Sequence, residues 1–170
     1  MDSCLRRALL QLHSAEVPTS SRTIANLWRN ATAEGRTGTA YLHEVDGEWR
    51  EVSWDEAARA VEELANGLLA LGVERGSSFA LLARTSLEWA LFDFALGLVG
   101  AVGAPIYANS SARDTQYVLE HSEAVGVLVE DDVQHAKVEG LGLEHVLSFD
   151  ELDDLRARGR AYAQEHPGAL

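Results

Sequence analysis

Apolar positions along the chain change their spacing several times, and each change marks the boundary of a predicted element. Between residues 53 and 71 they recur every three or four positions, which predicts an amphipathic helix. Ser53 and Glu56 form an S-x-x-E capping box at its start, and Gly72 stands where helices commonly end. The predicted buried side comprises Trp54, Ala57, Ala58, Val61, Leu64, Ala65 and Leu68, and the solvent side Arg59, Glu62, Glu63 and Asn66.

Short uninterrupted apolar runs then alternate with helical segments. Each run is short enough to be a strand covered on both faces, and strands that alternate with helices indicate an α/β fold with a mostly parallel sheet flanked by helices. The segment Leu87–Val99 is apolar nearly all round, so such a helix must be covered on most sides. The predicted strands are Phe79–Ala83, Ala101–Ile106, Val125–Glu130 and Glu144–Ser148; the predicted helices are Leu87–Val99 with a Thr85/Glu88 capping box, a segment from Ser110 or Ser111 to His121, a weak one near Asp132–Glu139, and the charged Asp150–Gln164.

The N-terminal part has a weaker pattern. Residues 1–22 lack a regular spacing of apolar positions and are predicted to be a loose leader. A single unit is predicted over residues 23–170. Thr23–Ala33 is predicted to be helical, with Ile24, Leu27 and Trp28 on one side. Thr39–Val52 is predicted to be a β-hairpin turning at Asp46-Gly47, because a primed turn needs positive φ. Its expected inner face comprises Ala40, Leu42, Val45, Trp49 and Val52.

Charge and cysteine content narrow the classes of function. The chain has 27 acidic and 14 basic residues, for a net charge of −13, and such a surface repels nucleic acid and anionic membranes. The single cysteine, Cys4, cannot form an internal disulfide, so a reducing cytoplasm is the expected location. No apolar run is long enough to predict a transmembrane segment.

The glycine-rich run Gly97–Gly103 is the first candidate for binding a phosphate. Its spacing is G-x-x-G-x-x-G, and it leads from a helix into a strand. A phosphate loop leaves a strand and opens a helix, so that backbone N–H groups face the anion. The reversed order favours close packing and a helix C-cap instead. The G-x-G-x-x-G and G-x-x-x-x-G-K-[ST] motifs do not occur.

Metal ligands and nucleophiles are equally unsupported. Asp131-Asp132, or Asp153-Asp154 with Glu151, would attract Mg²⁺ weakly, but a solvated acidic surface is the favoured interpretation. Cys4 has no placeable partner, and there is no G-x-S-x-G motif. No catalytic, cofactor-binding or metal-binding residue is therefore assigned. The histidines, none in a zinc-site spacing, are His13, His43, His121, His135, His145 and His166; the tryptophans, interpreted as core or interface residues, are Trp28, Trp49, Trp54 and Trp89.

Short motifs follow one another in a fixed order along the chain: W-x-E at Trp54–Glu56, LANGLLALGVERG at Leu64–Gly76, SLEW at Ser86–Trp89, GAVGAPIY at Gly100–Tyr107 and YVLEHSEA at Tyr117–Ala124. This ordered series resembles the N-terminal region of the AMP-forming acyl-CoA synthetases, the adenylate-forming superfamily. The end of the chain, FDEL and RGRAYAQEHP within Phe149–Pro167, is similar to the long-chain fatty-acid ligase branch. The chain departs from the family at Ser77-Ser78, where an acidic–basic pair is usual, and at Thr85, where asparagine is usual.

The resemblance implies a fatty acid, ATP, Mg²⁺ and coenzyme A as ligands of the intact family, which forms an acyl-adenylate and then a thioester. The family's phosphate loop would be expected soon after Pro167, so no catalytic or ATP-binding residue transfers to this chain. The chain is accordingly expected to be an N-terminal fragment of such a ligase, truncated before the phosphate loop and inactive alone. A standalone interaction module that self-associates or pairs with a separate C-terminal part, and an unrelated nucleotide-binding α/β domain, are the alternatives.

Overall fold

The computed structural model describes residues 23–33 and 36–170. The leader predicted for residues 1–22, with Cys4 and His13, lies outside the described residues. The helices are α1 (Ile24–Ala31), α2 (Trp54–Ala70), α3 (Leu87–Val99), α4 (Ala112–His121), α5 (Asp132–His135) and α6 (Leu152–Glu165); the strands are β1 (Thr39–Val45), β2 (Glu48–Ser53), β3 (Ser78–Leu82), β4 (Val102–Ile106), β5 (Ala124–Val129) and β6 (His145–Ser148).

The helix starts follow the capping residues of the sequence, with one correction. Ser53 and Glu56 form both bonds of the predicted capping box of α2. At α3 the predicted Thr85/Glu88 box is wrong, because Ser86 is the N-cap and its hydroxyl accepts from the Trp89 N–H. The helix therefore begins one residue later than a cap at Thr85 requires. Ser111, rather than Ser110, caps α4.

Strands β3 to β6 form one parallel sheet in the order β4-β3-β5-β6, as expected for an α/β fold. Successive side chains of a strand point to opposite faces, and both faces of this sheet are covered. In β3, Phe79 and Leu81 belong to the core of the first face, while Ala80 and Leu82 belong to the core of the second. This double burial explains the uninterrupted apolar run in the sequence.

Helices α1, α2, α3 and α6 cover the first face, and α2 packs directly against α6. A Cβ on Gly159 of α6 would lie 1.9 Å from the Glu63 carbonyl oxygen, and one on Gly67 would lie 2.5 Å from the Leu155 carbonyl oxygen. The two helix backbones therefore touch. Glu63, predicted on the solvent side, is instead mostly buried in this layer, where its carboxylate pairs with Arg156 and Arg160.

The second face carries α4, α5 and the turns that follow α5. Its core is smaller and comprises Ala80, Leu82, Ile106, Leu119, Val127, Val129 and Val138. Two polar residues, Thr115 of α4 and Gln134 of α5, are buried with it. The predicted helix near Asp132–Glu139 is shorter than expected, since α5 ends at His135 and continues as turns.

The hairpin forms as predicted, with positive φ at Asp46 and Gly47, but its inner face differs from the expected one. An irregularity between Thr39 and Tyr41 shifts the alternation by one position. Ala40, Tyr41 and Val52 therefore pack on the first-face core. Leu42 and Trp49, expected inside, are 59% and 69% exposed.

Helix α1 also buries less than its pattern suggested. Trp28 is buried against Phe94, with 4.3 Å between ring centroids. Ile24 and Leu27, expected on the same side, remain exposed. The helix is short, and Trp28 is its one buried residue.

Candidate functional site

The carboxyl ends of β3 and β5 form the candidate site by topology. The chain leaves β3 through α3 toward β4 on one side, and leaves β5 through α5 toward β6 on the other. Neighbouring parallel strands whose connections diverge in this way create a crevice at their carboxyl ends, where ligands of open α/β sheets bind. The residues after these strands are Arg84 and Glu130.

An ion pair between Arg84 and Glu130 bridges the two strand ends at this crevice. The Glu130 carboxylate accepts from the Arg84 backbone N–H at 2.8 Å and from its Nε at 2.7 Å, and it also contacts Nη2. The Glu130 side chain is 13% exposed and that of Arg84 is 78% exposed. The hydrogen bonds from Arg84 hold the pKa of Glu130 below its usual range, so the carboxylate stays ionised. The arrangement joins two strand ends and leaves Glu130 little capacity for another ligand.

A second link ties the end of β4 to α5. Lys137 Nζ donates to the Ala108 carbonyl at 2.7 Å and to Gln134 Oε1 at 2.8 Å. Asp131 Oδ1 accepts from the Gln134 N–H and so caps α5. The polar groups around this edge are therefore largely engaged with one another.

The edge does not fit the phosphates of ATP. Its strand-to-helix turns, residues 83–86, 107–111 and 130–131, contain no glycine that would let the backbone approach an anion closely. The charge of Glu130 is balanced by Arg84, but Asp131 and Asp132 add negative charge beside the crevice. A polyphosphate placed there would meet repulsion from these carboxylates.

The glycine-rich run Gly97–Gly103 has the packing role that its order, helix before strand, favoured. Gly100 has φ of +81° and forms the C-cap of α3. A Cβ on Gly97 would come within 2.5 Å of Ile24, and one on Gly103 within 2.9 Å of Asp93 Oδ1. These glycines bring α1 and β4 close to α3, and they lie at the amino end of β4, away from the candidate crevice.

Three of the five acidic residues considered for Mg²⁺ have structural partners. Asp131 caps α5, Glu151 accepts from the Ser148 N–H and hydroxyl, and Asp153 pairs with Arg156. Within residues 23–33 and 36–170 no group of three or more histidine, cysteine, aspartate or glutamate side chains could hold a metal ion. His121 and His166 stack on Tyr117 and Tyr162 of their own segments.

Sequence reasoning missed the Arg84–Glu130 pair, although a signal for it was present. Each residue is the first charged one after an uninterrupted apolar run, FALLA and VGVLV. Leu82 and Val129 are register partners in neighbouring parallel strands, so the charges that follow them meet at one edge. The opposite charges after the two runs are the sequence signal, but only the pairing of β3 with β5 makes them neighbours.

Asp93 of α3 was also missed. Its carboxylate is half-buried beside Gly103, and burial raises the pKa of Asp93 above its ordinary value. It has no ion-pair partner among the described residues.

None of the helices in the described part of the chain has the length and apolarity required to cross a membrane.

Comparison with known proteins gives one family. The model of a family described as AMP-binding enzyme matches residues 27–167. The long-chain-fatty-acid–CoA ligase FadD15 of Mycobacterium bovis is 44% identical over 92 residues, which are 54% of this chain and 15% of that ligase. The chain thus spans about 15% of the length of the first curated relatives it matches.

A shorter relative and a solved structure complete the comparison. The uncharacterized protein Rv1549 of Mycobacterium tuberculosis is 28% identical over 108 residues, which are 63% of this chain and 62% of that protein, so the two are of similar length. The crystal structure of the N-terminal domain of FACL13 from Mycobacterium tuberculosis superposes with a TM-score of 0.71 and 21% identity, covering 86% of this chain and 38% of that one. At 21% identity, this likeness shows a shared fold and nothing further.

Proposed function

The chain belongs to the AMP-binding enzyme family, and from that premise we propose that it supplies the N-terminal part of a long-chain fatty-acid–CoA ligase and does not form acyl-adenylate alone. In this role the sheet and its helices are a scaffold against which a nucleotide-binding part packs. Fatty acid, ATP, Mg²⁺ and coenzyme A are then ligands of the assembled ligase.

The observation that carries this proposal is that the candidate crevice lacks the features needed to bind ATP, although the chain matches the AMP-binding enzyme family. The relatives with long-chain ligase names align over a small share of their own length. The edge where this α/β sheet would hold a ligand is bridged by the Arg84–Glu130 pair and has no glycine in its strand-to-helix turns. Adenylation needs donors placed around the transferring phosphates, so the groups that supply them must come from other residues.

Acyl-dependent exchange between ATP and pyrophosphate tests the proposal. The purified chain is expected to show no exchange above the buffer, with palmitate as the acid. Co-expression with the part of FadD15 that follows its matched region is expected to restore exchange, and that part alone is the control. Exchange catalysed by the purified chain alone would refute the proposal.

A second function is favoured by the short relative Rv1549. A protein of similar length, aligned over most of this chain, supports a free-standing module of ligase ancestry that acts by binding another protein. Under this alternative, the chain is expected to self-associate or to bind a separately encoded part. Light scattering of the purified chain addresses this, since a stable monomer that also fails to bind the FadD15 remainder contradicts the alternative.

A further inference from the structure

The described residues include four edge strands, β1 and β2 of the hairpin and β4 and β6 of the parallel sheet, and of these β4 and β1 differ in their capacity to accept another strand. Strand β4 is at one end of the parallel sheet and pairs with β3 only. The Val102 N–H donates to the Ser77 carbonyl on the β3 side, so the alternate residues Gly103 and Pro105 direct their backbone groups outward. Proline has no N–H, and this open edge is therefore poorly suited to strand addition.

Strand β1 has an open edge without proline. It pairs with β2 only, and its other side faces the start of α3. A groove of about 720 Å³ separates them, lined on one side by the consecutive residues Tyr41–Asp46 and on the other by Thr85–Glu88. Because every residue of the β1 stretch lines it, the groove follows the strand edge.

The backbone groups that face this groove follow from the turn. Asp46 and Gly47 form a two-residue turn with φ of 54° and 82°, so Val45 and Glu48 beside it bond to each other. Alternate residues point to opposite sides, and Leu42 and Glu44 therefore direct their N–H and C=O groups away from β2. Neither has a hydrogen bond across the groove in the described part of the chain.

The side chains around the groove define what would bind. Glu44, Asp46 and Glu88 line it, and the exposed Leu42 and Trp49 offer apolar surface beside them. We propose that the open edge of β1 binds an extended, positively charged polypeptide segment as an added strand. Backbone bonds to Leu42 and Glu44 supply affinity, and the three carboxylates select for cationic side chains. A net charge of −13 disfavours a second copy of this chain as the occupant.

Amide hydrogen exchange measured by NMR tests the proposal directly. The probe is a short capped peptide of alternating lysine and valine. Its binding is expected to slow exchange of the Leu42 and Glu44 amides by roughly tenfold or more, because an added strand would bond to them. A peptide of equal charge with proline in place of valine is the control and is expected to give no protection, since it lacks half of the N–H donors.

Matched protein variants distinguish peptide binding at the groove from general attraction between a cationic peptide and an acidic protein. Combined Glu44→Gln, Asp46→Asn and Glu88→Gln is expected to weaken peptide binding about tenfold, because three favourable charge interactions with the peptide are lost. Combined Glu120→Gln, Glu123→Gln and Glu144→Gln changes the net charge equally at another groove and is expected to leave affinity unchanged. Leu42→Pro removes only an outward N–H and is expected to abolish protection of Glu44 with the hairpin retained.

Three results would overturn the proposal. One is binding that weakens equally in both triple variants. Another is binding without slowed exchange at Leu42 and Glu44. The third is a dimer of the free protein that Leu42→Pro dissociates, because the edge would then be occupied by a second copy. None of these measurements depends on the ligase assignment.

Discussion

The two faces of the parallel sheet are covered by helices that approach them in different ways. On the first face, α2 and α6 touch backbone to backbone at Gly67 and Gly159, and Glu63 pairs with two arginines across the contact. On the second face, α4 covers a smaller core that includes the buried hydroxyl of Thr115, which has no hydrogen-bond partner in the described structure. A groove of about 500 Å³ opens beside its Leu119.

The difference shows where each face has room to adjust. A contact made by backbones cannot relax around a defect, whereas side chains beside an open groove can move into it. The α2–α6 contact and Leu68 should therefore respond strongly to small changes in volume, whereas Leu64, Leu91 and Leu152 of the same face border a groove of their own. The second face should respond weakly to volume but favourably to the removal of its unpaired polar group.

The largest expected effect on stability comes from truncating one buried leucine on each face to alanine. Leu68→Ala on the first face should lower the free energy of unfolding by about 4 kcal/mol, and Leu119→Ala on the second by about 2 kcal/mol. Both leucines are buried, but only the second borders a groove into which neighbours can move. Urea unfolding with constant m-values measures both. Equal losses would remove the proposed distinction.

Gly159→Ala probes the backbone contact itself. The new methyl group would overlap the Glu63 carbonyl, so α6 must move away from α2, and we expect a loss of about 3 kcal/mol despite the better helix propensity of alanine. Arg158→Ala, at an exposed position of the same helix, is the control and should change stability by less than about 0.5 kcal/mol. A neutral Gly159→Ala would show that the helices do not pack this closely.

Thr115→Val tests the polar defect of the second face. It removes a buried hydroxyl without a partner and keeps nearly the same shape, so stability should rise by about 1 kcal/mol. Thr85→Val, at an exposed position just before α3, is the comparison and should have little effect on thermal unfolding. A destabilised Thr115→Val would indicate that the hydroxyl has a partner in solution.

The smallest expected effect concerns Asp93 on the first face. Burial raises its pKa in the folded state, so ionisation destabilises the fold above that pKa and has no effect below the unfolded pKa. Asp93→Asn should therefore stabilise by less than about 1 kcal/mol at neutral pH, with the gain fading on acidification. Unfolding measured across pH 3 to 7, roughly the range in which carboxylates titrate, checks this.

Glu130→Gln is the control of opposite sign. The pKa of Glu130 is lowered by hydrogen bonds from Arg84, so its contribution to stability is present above the unfolded pKa and lost as pH falls through the folded pKa. The variant should be less stable than the wild type at neutral pH and equal to it in acid. The same direction of change in both variants would contradict the assigned causes.

The order of elements was predictable from local patterns. The capping box at Ser53 and Glu56, the turn at Asp46-Gly47 and the apolar runs of β3 and β5 each rest on residues close in sequence. The packing and capping role of Gly97–Gly103 followed from the order helix, then strand. The motifs also gave the family, which the match over residues 27–167 confirms.

The errors at Thr85 and at the end of α5 shift an element boundary, whereas the larger errors concern side-chain environments. Glu63 was placed in solvent because its helix pattern cannot show that α6, more than 90 residues later, brings Arg156 beside it. The hairpin face was assigned to Leu42 because strict alternation conceals the irregularity at Thr39 and Tyr41. The loose leader predicted for residues 1–22 and the inactivity of the chain remain predictions.

The sequence by itself determined which segments become helices and strands and which family they belong to, because caps, turns and hydrophobic periods act over a few residues. Only the tertiary structure decided that Arg84 meets Glu130, that Gly159 meets Glu63, and that the edge of β1 stays open. Those outcomes depend on which elements become neighbours. That choice is made by packing the whole chain around two cores, and no local pattern encodes it.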